Sequence, residues 1–154
     1  MLPRVYPNQR MSYCCFAKPI YSAYVLGSKL HRGLLDYECD SKDVYVIPTK
    51  NENGDYSIFM TYCTEGFSED APTIVQELVF DKKVIGRNSR IWCIDKQSSN
   101  PYRMYDRMGK PEMTDEIIKV LKAEGNIKPI SEFVIDGRIR LEFSANATYL
   151  VEVM

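Results

Sequence analysis

Glu132-Phe133-Val134-Ile135-Asp136-Gly137-Arg138-Ile139-Arg140-Leu141-Glu142-Phe143 sets an Asp-Gly pair between two apolar-rich runs, the strongest short-range hairpin signal a sequence carries. Glycine supplies the positive φ that such turns need at little steric cost. A type I turn at Ile135-Asp136-Gly137, closed by a glycine bulge, sets Phe133 opposite Ile139 and Glu132 opposite Arg140. A two-residue loop sets Phe133 against Arg140 instead, so the bulged register is preferred. In that register Ile139, Leu141 and Phe143 point to one side and Arg138, Arg140 and Glu142 to the other. The expectation is an antiparallel sheet with one wet face.

Downstream, Thr148 to Met154 reads as a final strand. Upstream lies the clearest helix, Thr114 to Glu124. Thr114 can cap it, Asp115 and Glu116 sit at its positive end, and Gly125 stops it. Ile117, Ile118, Val120 and Leu121 form its apolar stripe. Arg90 to Ile94 reads as a strand and Ser98 to Pro111 as a loop or short irregular helix. Pro72, with Glu69 and Asp70 before it, fits the first turn of a helix over Thr73 to Phe80. Asp43 to Ile47 and Tyr56 to Cys63 form a hairpin around the Asn53-Gly54 turn cluster, apolar on both faces and so placed between two layers. Ser22 to Leu30 reads as a short helix, Met11 to Ala17 as a first strand, and residues 1–10, with Pro3 and Pro7, as extended or mobile.

These elements predict a single α+β domain over residues 1–154. A mainly antiparallel sheet of five or six strands would pack against the Thr114–Glu124 helix and one or two short helices. A chain of 154 residues can bury about two-thirds of its unfolded surface, enough for a core without staples. Apolar residues make up 45% and charged residues 27%, with a net charge of −1, so no global pull toward nucleic acid or anionic membrane is expected. No apolar run approaches the roughly 18 residues of a membrane helix. No apolar segment follows Arg4 to make a secretory signal. Five cysteines, an odd number without paired spacing, fit reduced thiols in a cytoplasmic protein better than a disulfide framework.

Few constellations offer covalent chemistry. The one histidine, His31, leaves a thiol–imidazole pair with Cys14 or Cys15 as the sole histidine-based scheme, and such a pair needs contact that the sequence does not establish. Asp36, Glu38, Asp40 and Asp43 alternate like calcium-loop ligands, but the central glycine and closing glutamate of such a loop are missing, so a solvated acidic loop is expected. Asp70 with Asp81-Lys82-Lys83 carries the residue types of a metal-dependent nuclease, though a helix between them would part the carboxylates. No phosphate loop, serine elbow or Cys-x-x-Cys occurs. No cofactor and no metal are expected.

Eleven tyrosines are a high share for this length. Tyrosine gives stiff contact area with a polar tip, suited both to strands and to recognition surfaces. Tyr102, Arg103, Tyr105 and Arg107 interleave with methionines, and Arg87 and Arg90 lie nearby in sequence. Tyrosine and arginine dominate binding hot spots, and the same groups can stack bases and neutralise phosphates. The function expected from sequence is therefore a non-enzymatic recognition protein that binds a protein partner through these six residues. Nucleic-acid binding, a nuclease and a thiol enzyme stand as alternatives. A compact viral or mobile-element accessory protein would fit that profile.

Overall fold

The structure, a computed structural model, describes residues 17–64, 66, 68 and 70–154. The expectations for residues 1–10 and for a strand beginning at Met11 lie outside the described residues. Within them the chain forms α1 (Pro19–Gly27), β1 (Gly33–Leu34), β2 (Val44–Lys50), β3 (Tyr56–Tyr62), β4 (Ile74–Val79), β5 (Asn88–Ile94), α2 (Pro101–Arg107), α3 (Asp115–Gly125), β6 (Pro129–Val134), β7 (Arg138–Phe143) and β8 (Thr148–Val153). Six strands make one sheet in the order β1-β2-β3-β8-β5-β6, and β4 pairs with β7 in a separate ribbon. Every pairing among these eight strands is antiparallel. The α+β class and the six-stranded antiparallel sheet are as the sequence predicts.

Period-two alternation sorts the side chains of the large sheet. Val44, Ile58, Met60, Ile91, Cys93, Tyr149, Val151 and Val153 face the ribbon and meet Ile139, Leu141 and Phe143 from β7. Phe143 is fully buried and stands edge-on to Tyr149, ring centroids 4.6 Å apart, the arrangement aromatic quadrupoles prefer. On the opposite face Trp92, Ile94 and Leu150 pack with Leu26 of α1. The strands β3, β8 and β5 are thus covered on both sides, which their two-faced apolar sequence requires. Two buried tyrosines tie the ribbon down with their polar tips: Tyr149 donates to the Glu142 carbonyl at 2.7 Å and Tyr62 to the Pro72 carbonyl at 3.0 Å.

The turn at Asp136-Gly137 is the main departure from the sequence reading. The alternation of Ile139, Leu141 and Phe143 inward is present, but β6 and β7 do not pair. Glu132 lies opposite Arg90 and Phe133 opposite Ser89, while Ile139 lies opposite Leu78 and Phe143 opposite Ile74. The chain turns a corner between two sheets. Backbone bonds from distant segments hold that corner: Ile135 N–H donates to the Arg87 carbonyl, Gly86 N–H to the Ile135 carbonyl, and Phe80 N–H to the Gly137 carbonyl. Gly137 takes φ +117°, a region closed to most side chains, so the glycine is needed even though the hairpin is not formed.

The segment expected as a helix over Thr73 to Phe80 is the strand β4. Ile74, Gln76 and Leu78 turn toward the core and Val75, Glu77 and Val79 outward, and pairing with β7 satisfies its backbone on one side. The first helix runs Pro19–Gly27 rather than Ser22 to Leu30, because Pro19 starts it at the position that needs no N–H. The helix α3 begins where expected, with Thr114 Oγ1 accepting from Ile117 N–H at 3.4 Å. Val120, read as part of its apolar stripe, is instead exposed. The hairpin β2–β3 forms as predicted around the Asn53-Gly54 turn cluster, with Gly54 N–H donating to the Asn51 carbonyl.

Candidate functional site

A two-stranded ribbon cannot roof a six-stranded sheet. Strands lie about 4.8 Å apart, so six span roughly 24 Å from first to last and two span about 5 Å. The ribbon lies over the middle of the large sheet and leaves an opening on each flank. On the β4 flank the gap is walled by the extended segment Leu35 to Asp40 and has a volume of about 810 Å³. On the β7 flank a smaller gap of about 430 Å³ runs between β6 and β7.

The larger cleft has a definite chemistry. Its floor is apolar and built from Val44, Val46, Ile58 and Met60 of β2 and β3. One wall carries Asp36, Tyr37, Glu38 and Asp40, and the other is β4, with Gln76 and Glu77. Leu35 N–H donates to the Pro48 carbonyl at 3.0 Å, which anchors the loop wall to β2. Among the described residues β4 pairs only with β7, so its second edge faces the cleft with alternating backbone donors and acceptors that no described strand meets. Tyr37 is 52% exposed. Glu77 is bridged across the ribbon to Arg138 at 3.0 Å. Volume, apolar floor and a few polar groups on the walls match the general form of small-ligand sites. Among the described residues no three His, Cys, Asp or Glu side chains are grouped to hold a metal ion, so the acids line the cleft rather than converge.

The six residues singled out from sequence are spread over both ends of β5. Arg87 precedes β5 and clamps the β2–β3 hairpin tip through the Gly54 carbonyl and the Asp55 carboxylate. Arg90, on β5, pairs with Glu132 at 3.0 Å. Beyond the far end of β5, Arg107 donates to the Lys96 carbonyl, and Tyr105 donates to the Pro111 carbonyl at 2.9 Å. Arg103 is half-buried on α2, where Tyr102 is exposed. Only the four α2 residues are brought together. Arg87 sits about 20 Å away along the strand. Asp70 and Asp81 fall at opposite ends of β4, comparably far apart, and Cys14 and Cys15 lie outside the described residues.

Titration behaviour follows local surroundings. The Asp55 carboxyl is held below its ordinary value of 3.8, chiefly by the Asn51 side-chain hydrogen bond and also by Arg87. Burial pushes the Cys93 thiol up to about 12, with Asp95 adding to the effect, and burial raises Cys63 and Tyr149. A thiol so far from ionisation is a packing residue.

No protein-family model matches this sequence, and no curated protein matches it. Solved structures do share the fold. A GH39 beta-xylosidase from Caulobacter crescentus aligns with 98% of this chain and 32% of its own at 20% identity, with a TM-score of 0.71. A monomeric beta-xylosidase from Caulobacter crescentus CB15 aligns with 98% of this chain and 34% of its own at 18% identity, with a TM-score of 0.74. The bacterial orthologue of human α-L-iduronidase aligns with 90% of this chain and 27% of its own at 16% identity, with a TM-score of 0.71. The chain spans about a third of the length of these solved chains. The fold is therefore one that occurs within glycoside hydrolases. That finding corrects the expectation of a non-enzymatic protein-recognition module, which rested on missing catalytic patterns and a surplus of tyrosine. Two of those tyrosines, Tyr62 and Tyr149, are core residues.

Proposed function

We propose that this chain serves glycoside processing and that its own contribution is to hold a saccharide in the cleft beside β4. The observation that carries the reading is the similarity of nearly the whole chain to enzymes described as beta-xylosidases and an α-L-iduronidase orthologue. Fold alone does not set chemistry, so the site must supply it. Sugars present hydroxyl groups around an apolar C–H face. The carboxylates of Asp36, Glu38 and Asp40, the Gln76 amide and the outer edge of β4 offer acceptors and donors for hydroxyls, and Tyr37 and Val46 offer surface for the ring face. The acids of the cleft are concentrated on its loop wall, and Glu77 stands at the β4 rim, paired outward with Arg138.

Titration calorimetry with xylo-oligosaccharides and iduronate-containing saccharides tests the reading. Binding that weakens in Tyr37→Ala and Gln76→Ala, with the thermal midpoint unchanged, supports it. No saccharide binding, or binding indifferent to both substitutions, overturns it.

A further inference from the structure

From the charge around the cleft we infer which class of sugar it takes: protonated amino sugars before neutral sugars, and neutral sugars before uronic acids. The inference rests on the saccharide reading above and adds a selection rule to it. The lining residues include four carboxylates, Asp36, Glu38, Asp40 and Glu77, and no lysine, arginine or histidine. Glu77 is offset by Arg138 on the outer surface. Among the described residues Asp36, Glu38 and Asp40 form no ion pair, so the loop wall keeps its negative charge. A carboxylate on a sugar entering this cleft meets like charges and gains no cationic partner. A sugar ammonium gains several carboxylate acceptors, and the exposed Tyr37 ring adds a face that attracts cations.

The other flank shows that this is a property of one cleft and not of the whole fold. Arg138 and Arg140 stand beside Asp136 and Glu142 there, so the charges balance. A third hollow, about 800 Å³, lies outside β1 and mixes His31, Arg32 and Lys50 with Glu52. Neither imposes the same rule.

The test is calorimetry of the full chain with three trisaccharide probes at low salt: fully deacetylated glucosamine trimer, xylotriose and trigalacturonate. Amide chemical shifts are read in parallel to locate each ligand. The expected order of affinity is amine, neutral, uronate, each step about fivefold, the size of one charge contact about 4 Å away in water. The order should compress near 1 M salt, where the screening length falls to about 3 Å. The double variant Asp36→Asn with Glu38→Gln should flatten it, bringing the three affinities toward one another. Trigalacturonate binding in the cleft as tightly as xylotriose overturns the selection rule and leaves the saccharide reading standing. An order unaltered by the double variant also overturns the rule. Failure of all three probes to shift the amides of 35–40 and 76–79 overturns both.

Discussion

The two clefts flanking the β4–β7 ribbon arise from one geometric mismatch yet differ in chemistry. On the β7 flank the walls are two strands, and their outward residues are the alternating charges Arg138, Arg140 and Glu142. Alternation on a strand surface disperses charge. On the β4 flank one wall is a loop, Leu35 to Asp40, where no sheet register constrains the side chains and acids accumulate. Two strand walls therefore give a neutral, narrow gap, and a loop in place of one of them gives a wider, acidic one. A fold shared with glycoside hydrolases places its distinctive chemistry where regular pairing stops, as loops on a rigid scaffold generally do.

The comparison can be broken most forcefully by removing the pillar that both clefts share. Phe143→Ala deletes a fully buried ring between ribbon and sheet and should cost about 3–5 kcal/mol, read as a lower urea midpoint and loss of saccharide binding at the β4 flank. Tyr37→Ala separates the flanks. It should weaken saccharide binding by about threefold to tenfold without a change in thermal midpoint, whereas Arg140→Ala should leave saccharide binding unchanged. Arg138→Ala cuts the ion pair to Glu77, whose partners are 67% and 45% exposed. Stability should change by less than about 1 kcal/mol, while the freed Glu77 makes the β4 flank more acidic and strengthens binding of the amine probe.

The smallest effect is confined to acid and to the hairpin tip. The folded-state pKa of Asp55 is depressed, so its contribution is fully present above the ordinary value near 3.8 and is lost as pH falls through the folded value, because the unfolded chain takes up the proton first. Asp55→Asn should flatten the acid limb of a stability–pH curve below about pH 4. Saccharide binding at neutral pH should stay unchanged. A loss of binding in this variant would show that the hairpin tip and the cleft are coupled.

Most strands were legible because their alternation is local. Ile139, Leu141 and Phe143 announce an inward face wherever the strand lies. Their partner was not legible. Asp136-Gly137 signals a reversal of direction, and a hairpin and a corner between sheets demand the same turn residues. The choice is made by Ile135 bonding to Gly86 and Arg87, some fifty residues upstream. The strand β4 was hidden by a coincidence of periods, since Ile74 and Leu78 share a face at strand spacing and at helix spacing alike, and Pro72 with its acidic neighbours tipped the balance to helix. The cleft was invisible for both reasons. In sequence one of its walls has the marks of a helix and the other those of an isolated acidic loop, and only the tertiary fold sets them face to face. Its one sequence trace is the run Asp36, Glu38, Asp40, whose spacing resembles calcium ligation and carries no sign of a facing strand.

The central claim is that the acidic flank, and not the balanced one, receives a saccharide. It is tested most directly by amide chemical-shift mapping during a titration with xylotriose. Shifts confined to residues 35–40, 44–48 and 76–79 are predicted. Shifts centred on residues 130–142, or none anywhere, would contradict the account.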